Sequence, residues 1–142
     1  MIIMGVDFGD VRTGLAVCDK YEMMATGAGC VKGGFKGTVE AVAARAAELS
    51  AELIVVGNPV NMNGEEGERS VKCRDFAASL DERCGIRCVM YDERLTSVSA
   101  HRYLHGSGVD GRKHRQFVDE LSAKLILADY LTSRKNGTAP CP

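Results

Sequence analysis

The sequence has no tryptophan and three prolines, and its apolar runs are no longer than a β-strand. A helix that crosses a bilayer needs about 20 consecutive apolar residues, so the pattern predicts no membrane span and no membrane partner. Six cysteines are present, but no two of them form a C-x-x-C pair, which argues against a zinc ribbon and a thioredoxin-type motif. We therefore expect the cysteines to be small apolar residues of a protein in a reducing compartment.

Three further signatures are missing. The sequence has no G-x-x-x-x-G-K-[ST] phosphate-binding loop and no G-x-S-x-G nucleophile elbow. No basic segment precedes the first apolar residues, and an acid follows them at Asp7, which is wrong for a signal peptide. The pattern predicts a cytoplasmic protein.

Excess charge of one sign is also lacking, because 18 basic and 19 acidic residues leave a net charge of −1. Nucleic acid would therefore need a local concentration of positive charge to bind. The segment from Arg94 to Arg115 offers one, with five basic residues against one acid and a net charge of +4, whereas the rest of the chain carries −5. Such a segment is either a grip for a phosphate backbone or a solvated basic loop.

The length of 142 residues, of which 45% are hydrophobic, indicates one globular domain with a short tail. Apolar runs predict strands over 2–6, 13–18, 25–31, 53–56 and 86–91. Helical spacing and capping residues predict helices over 38–51, 68–84, 96–104 and 116–133. We expect an α/β domain over 1–133, with a mixed sheet covered by helices, and a flexible tail over 134–142.

Three acids stand at positions that this type of fold can bring together. Asp7 ends the first predicted strand, Glu93 follows the last strand, and Asp119 lies in the first turn of the final helix. Ligands of open α/β sheets bind beyond the carboxyl ends of the strands. Carboxylate oxygens there suit Mg²⁺ or Mn²⁺, which can activate water for phosphodiester cleavage. Asp92 could take the place of Glu93, since strand alternation points only one of the two inward, and a single strand-end acid is more often simply solvated.

Four segments of the chain resemble the YqgF family, also called RuvX, of bacterial proteins. In the family's order they are Asp7–Ala16, Gly57–Gly64, Asp92–Ser97, and Arg112 through Asp119 to Leu131. The D-E-R-L-T segment and the G-x-P-x-x-M-N-G loop are specific to the family. The first segment is less specific, because an acid followed by a glycine turn also occurs in actin-like kinases and ATPases.

The resemblance implies an RNase H-like fold with a central mixed five-stranded sheet flanked by helices. It also implies that Asp7, Glu93 and Asp119 match the family's acidic metal-binding triad. The family is described as a nuclease that matures the 5′ end of pre-16S ribosomal RNA and, from its fold, as a Holliday-junction resolvase. Val11 stands where the family often has lysine, which would leave Arg12 to carry the phosphate contact.

We predict a divalent-metal-dependent nuclease that acts on structured RNA in the 5′-end maturation of pre-16S rRNA. Asp7, Glu93 and Asp119 are the predicted catalytic and metal-binding residues, with Mg²⁺ or Mn²⁺ as the cofactor. The predicted nucleic-acid-binding residues are Arg12, Arg94, Thr96, Arg112, Lys113 and Arg115.

Three other functions remain open at this stage. A resolvase would apply the same chemistry to a four-way DNA junction, and phosphate contacts alone do not distinguish RNA from DNA. A non-catalytic rRNA-binding assembly factor would bind precursor RNA without cleaving it. An actin-like ATPase is disfavoured, since 142 residues are too few for two lobes and no second Asp-x-Gly phosphate motif is present. We expect a monomer or a weak homodimer, whereas symmetric resolution of a junction would need paired active sites.

Overall fold

The computed structural model describes residues 1–95 and 112–138, and it describes only the backbone of residues 95 and 112–117. The strands are β1 (Ile3–Asp7), β2 (Arg12–Cys18), β3 (Ala25–Lys32), β4 (Leu53–Asn58) and β5 (Cys88–Asp92). The helices are α1 (Phe35–Glu48), α2 (Glu68–Cys84) and α3 (Arg112–Lys135), and a 3₁₀ turn (Glu93–Leu95) follows β5. The short helix predicted over 96–104 lies outside the described residues.

The five strands form one sheet in the order β3-β2-β1-β4-β5. The first three strands pair antiparallel as two successive hairpins, while β1 pairs parallel with β4 and β4 pairs parallel with β5. The predicted mixed five-stranded sheet is therefore confirmed. Because β1, β4 and β5 run in the same direction, their carboxyl ends share one edge of the sheet.

Both faces of the sheet are covered. Met4, Val6 and Phe76 belong to a core cluster beneath α1 and α2, whereas Ile3 and Leu127 belong to a second cluster beneath α3. Alternate residues of one strand therefore enter different cores, as the pleat requires. Burial on both faces explains why β1 and β4 are continuous apolar runs in the sequence.

Helix α2 occupies the predicted residues 68–84, whereas the ends of the other two helices differ from the sequence prediction by up to four residues. Helix α1 begins after Gly34 and α2 begins after Gly67, and neither N-cap residue makes a side-chain hydrogen bond to the helix. Gly85 ends α2 in the left-handed conformation, with φ of 70°, and donates its N–H to the carbonyl of Asp81. Helix α3 begins at residue 112 rather than 116 and ends at 135 rather than 133. Within the described residues, no helix combines the length and the apolar character that a bilayer crossing requires.

Candidate active site

Asp7 is the last residue of β1 and is 7% exposed. It shares its face of the strand with Gly5, where a Cβ atom would lie 2.8 Å from the Cβ of Leu127 in α3. Side chains alternate along a strand, so Asp7 faces the α3 side of the sheet at the carboxyl edge.

Glu93 lies on the same face of the sheet, over the neighbouring strand β4. It begins the 3₁₀ turn after β5 and is 5% exposed. A Cβ atom on Gly57 would lie 3.1 Å from Oε2 of Glu93 and 2.6 Å from Cδ1 of Ile126 in α3. Gly57 follows Val56, which pairs with Val6, the residue before Asp7. The missing side chain at Gly57 thus leaves room for the Glu93 carboxylate one strand away from Asp7.

Asp119 is brought to the site by α3. A Cβ atom on Gly14 would lie only 1.9 Å from the main-chain oxygen of Asp119, so the helix backbone rests directly on β2. Gly14 is the residue of β2 that pairs with Asp7. Neighbouring Glu120 accepts a hydrogen bond of 2.8 Å from the N–H of Gly29 in β3, which ties this turn of the helix to the sheet.

Arg12 is paired with one of the predicted metal ligands. Its Nε donates a hydrogen bond of 2.8 Å to Oδ2 of Asp119, and both side chains are about one quarter exposed. Arg12 was predicted to bind nucleic acid, and its contact with Asp119 was not predicted. The two residues are 107 positions apart in the chain, so no local pattern could have linked them.

Asp92 lies on the opposite face of β5. Tyr91, its neighbour, packs edge-to-face on Tyr130 of α3, so alternation turns Asp92 away from α3. Arg94 donates hydrogen bonds to Asp92 through Nε and Nη2, and this pairing lowers the pKa of the Asp92 carboxyl below its ordinary value. The geometry therefore favours Glu93 over Asp92 as a partner of Asp7.

A cavity of about 720 Å³ opens beside the Asp92–Arg94 pair. It is lined in part by the loop that follows β4, where Nδ2 of Asn58 donates to Oε1 of Glu66. The specific G-x-P-x-x-M-N-G segment therefore lies next to the turn that carries Glu93.

Two basic residues that the sequence analysis missed flank the same edge of the sheet. Nη1 of Arg69 lies 3.1 Å and Nζ of Lys72 lies 3.6 Å from the carboxylate of Asp10 in the β1–β2 loop. Arg69 also donates a hydrogen bond of 2.9 Å to the main-chain oxygen of Phe8. Their spacing of three residues at the start of α2 was the available signal, since it places both on one side of a helix.

Carboxylate oxygens are the ligands that a hard divalent cation prefers, so the chemistry of Asp7, Glu93 and Asp119 suits such an ion. No group of three or more His, Cys, Asp and Glu side chains within residues 1–95 and 112–138 is arranged to hold a metal ion. In this structure the Asp119 carboxylate forms an ion pair with Arg12. Coordination by all three acids would require the Asp119 carboxylate to exchange or share that partner.

The remaining predicted nucleic-acid-binding residues are only partly covered by the structure. Arg94 is exposed at the surface beside Asp92. Thr96 lies outside the described residues. The side chains of Arg112, Lys113 and Arg115 are likewise outside the described part, although the backbone of all three belongs to the first turns of α3.

Comparison with known families gives one match over most of the chain. The sequence model of the family described as "RuvX: Holliday junction resolvase" matches residues 1–133. A protein of Agathobacter rectalis is 38% identical over 140 residues, which cover 96% of this chain and 98% of that protein. A protein of Ruminiclostridium cellulolyticum is 36% identical over 135 residues, covering 92% and 94%. Both relatives are provisionally named as pre-16S rRNA nucleases.

Solved structures with the same fold include two resolvases. RuvC of Thermus thermophilus, in complex with a Holliday junction substrate, superposes with a TM-score of 0.65 at 16% identity and 98% coverage of both chains. The fowlpox virus Holliday junction resolvase superposes with a TM-score of 0.52 at 14% identity, covering 94% of this chain and 99% of its own. At these identities the likeness concerns the fold, and it confirms the predicted RNase H-like architecture.

Proposed function

The chain belongs to the RuvX family, and we propose that it is a divalent-metal-dependent nuclease that hydrolyses phosphodiester bonds in the 5′-end maturation of pre-16S rRNA. The nuclease activity is supported by the family match and by relatives at 36–38% identity that bear this name. The cytoplasm is the proposed location, because precursor rRNA is the proposed substrate.

One observation carries the assignment of the site. Two carboxylates, Asp7 and Glu93, are buried at the carboxyl edge of the sheet over the neighbouring strands β1 and β4, and α3 brings the backbone of Asp119 against the strand that pairs with Asp7. Burying acids is costly, and carboxylates gathered at one edge are typical of a site for a divalent cation. This arrangement supports metal-dependent cleavage more directly than simple RNA binding.

In the proposed reaction, Asp7, Glu93 and Asp119 hold Mg²⁺ or Mn²⁺. The bound ion would supply an activated water and would stabilise the leaving oxygen. Arg12 and Arg94 are proposed to contact the phosphate, because Arg12 begins β2 and Arg94 follows β5, the two strands that flank β1 and β4. Thr96, Arg112, Lys113 and Arg115 are proposed to hold the nucleic acid backbone farther from the cleaved bond.

The test is cleavage of purified precursor rRNA and of a synthetic four-way DNA junction, side by side, with Mg²⁺ or Mn²⁺. We expect the wild-type protein to cut the RNA and Asp7→Asn to lose this activity. Asp75→Asn is the matched control, since Asp75 is an exposed carboxylate on α2. Full activity of Asp7→Asn would refute the site, and binding of precursor RNA without any cleavage would identify an assembly factor instead.

A second candidate function is resolution of Holliday junctions. The description of the matching family and the fold shared with RuvC favour it. Symmetric cleavage of a junction requires two active sites, so a resolvase would have to form a dimer on the DNA. A protein that remains monomeric on the junction, at a concentration where it cuts precursor rRNA, would exclude this function.

A further inference from the structure

Two basic residues face each other across the hairpin next to the proposed site. Arg12, the first residue of β2, is the register partner of Lys32, the last residue of β3. Like charges placed directly opposite on an antiparallel pair repel each other and destabilise the sheet. A position of this kind is expected to be compensated by an anion.

The compensating anion in this structure is Asp119. Arg12 lies two residues before Gly14, on which the backbone of Asp119 rests, so Arg12 shares the α3 face of β2. Lys32 lies on the same face as its register partner and is exposed. Arg12 forms an ion pair with Asp119, with 2.8 Å between Nε and Oδ2.

The Cys30 thiol supports this grouping of charges. Cys30 is the register partner of Gly14, on which the backbone of Asp119 rests, and it lies two residues before Lys32. Burial raises the pKa of the Cys30 thiol, the negative charge of Asp119 raises it further, and the positive charges of Arg12 and Lys32 lower it. Both cations and the carboxylate therefore act on one point of the α3 face.

We propose that Arg12 and Lys32 form a phosphate-binding pair whose availability is controlled by the divalent ion through Asp119. This inference rests on the proposed function. An ion bound to the Asp119 carboxylate neutralises the charge that holds Arg12, whether or not the hydrogen bond is kept. Two opposed cations then lack their anion, and a backbone phosphate of the nucleic acid takes its place. Metal and nucleic acid should consequently bind with positive coupling, and the coupling must be reciprocal.

The coupling can be measured without any cleavage. The affinity of a short fluorescein-labelled oligoribonucleotide is determined by anisotropy in Mn²⁺ and in EDTA, and the integrity of the probe is checked on a gel. We expect Mn²⁺ to tighten binding of the wild-type protein by about fivefold or more. Arg12→Gln should remove this increment, and Lys32→Gln should reduce it. Arg45→Gln is the control, because Arg45 pairs with Glu48 near the far end of α1.

The metal side of the coupling provides a second measurement. Electron paramagnetic resonance of free Mn²⁺ gives the affinity of the ion without nucleic acid. Arg12→Gln should bind Mn²⁺ more tightly than the wild-type protein, since the guanidinium no longer competes for Asp119. Equal Mn²⁺ affinity of the two proteins, or an unchanged increment in Arg12→Gln, would overturn the proposal. Lys32→Gln changes an exposed side chain, so it remains informative if Arg12→Gln folds poorly.

Removing the negative charge of Asp119 should have the same effect on nucleic-acid binding as adding the divalent ion. Asp119→Asn is expected to bind the oligoribonucleotide in EDTA about fivefold more tightly than the wild-type protein, and Mn²⁺ should add little. Glu120→Gln removes the same charge one residue away and keeps an acceptor for the N–H of Gly29, so it separates this effect from general electrostatics. If both variants gain equally, the proposal fails. These are binding measurements, so a protein that shows the coupling but cuts no RNA would contradict only the proposed function.

Discussion

Asp92 and Glu93 are adjacent carboxylates that the fold puts to different uses. Glu93 is buried above Gly57 on the α3 side, whereas Asp92 faces the other side and is hydrogen-bonded to Arg94. Asp92 faces away from α3, because its neighbour Tyr91 packs on Tyr130 of that helix, so Asp92 does not share a face with Asp7. The chemistry of this segment should therefore depend on Glu93.

A pair of matched substitutions tests this difference. Glu93→Gln should lower metal-dependent cleavage of precursor rRNA by about 100-fold or more, since it removes a charged ligand from the site. Asp92→Asn should keep the rate within about threefold, because Asp92 faces away from α3 and an asparagine still offers an oxygen acceptor to Arg94. Initial cleavage rates of both variants show which carboxylate the reaction needs, and thermal melts verify that both variants are folded. The reverse order of the two rates would assign the metal to Asp92.

At the scale of the elements, the position of α3 depends on glycines in the sheet beneath it. Cβ atoms on Gly5, Gly14 and Gly27 would all lie within 3 Å of α3 atoms. The contact at Gly14 is with the backbone of the helix, and backbone cannot move aside as a flexible side chain can. The close approach of α3 to β2 is what brings Asp119 to the carboxyl edge of the sheet, where the active site is proposed.

Gly14→Ala should therefore be costly in two ways. We expect it to lower the free energy of unfolding by about 2 kcal/mol or more, because α3 must shift, and to reduce cleavage because Asp119 moves with the helix. Gly37→Ala is the control, since a Cβ atom there meets nothing within 4 Å and alanine favours the helix by about 0.5–1 kcal/mol. Urea unfolding of both variants measures the difference. A Gly14→Ala protein as stable as the wild type would show that the contact is not tight.

The far end of α3 is fastened by an ion pair that should respond to pH. Nε of Arg134 donates a hydrogen bond of 2.6 Å to Glu22 in the β2–β3 turn, and the N-terminal amine donates another of 2.9 Å. The Arg134 hydrogen bond is the main cause that lowers the pKa of Glu22 below its ordinary value. A carboxyl whose pKa is depressed by folding stabilises the protein above its unfolded pKa of about 4.3, and this stabilisation is lost as the pH falls through the folded pKa.

Glu22→Gln should accordingly destabilise the protein by about 1 kcal/mol at pH 7. The difference from the wild type should shrink below about pH 4.3 and vanish once Glu22 is protonated in both states. Urea unfolding at a series of pH values measures how the difference in the free energy of unfolding depends on pH. Glu48→Gln is the comparison, because the exposed Arg45–Glu48 pair contributes little. A difference that persists unchanged in acid would assign the effect to packing rather than to charge.

At the scale of the whole molecule, the two core clusters share one sheet. Met4 and Val6 enter the cluster beneath α1 and α2, and Ile3 enters the cluster beneath α3, although all three belong to β1. Neither cluster can lose its strands while the other keeps them. We propose that the described chain unfolds as a single cooperative unit.

Phe76→Ala tests this cooperativity. Phe76 of α2 is fully buried in the cluster between the sheet and that helix and stacks on Phe8, so its truncation should cost about 3–5 kcal/mol. The chain has no tryptophan, so near-ultraviolet circular dichroism of the tyrosines, including buried Tyr91 and Tyr130, monitors the α3 face. This signal and the far-ultraviolet helix signal should disappear at the same, lowered urea concentration. Two separate transitions would contradict a single unit.

The sequence by itself determined the local features of this protein. Apolar runs and helical spacing predicted all five strands and the three described helices, and the ordered motifs predicted the family and the three acids. The helix ends were less predictable. Gly34 caps α1 without a side-chain hydrogen bond, so no capping residue marked where this helix begins, and the prediction placed its start three residues too late.

Only the tertiary structure decided which side chains meet. Strand alternation alone left open whether Asp92 or Glu93 points inward until β5 was placed beside β4 and α3. The pairing of Arg12 with Asp119 joins positions 107 residues apart, and that of Glu22 with Arg134 joins positions 112 apart. Periodicity reports the geometry of one strand or helix, whereas these contacts depend on how α3 packs across the sheet, which is set by the shape of both surfaces together.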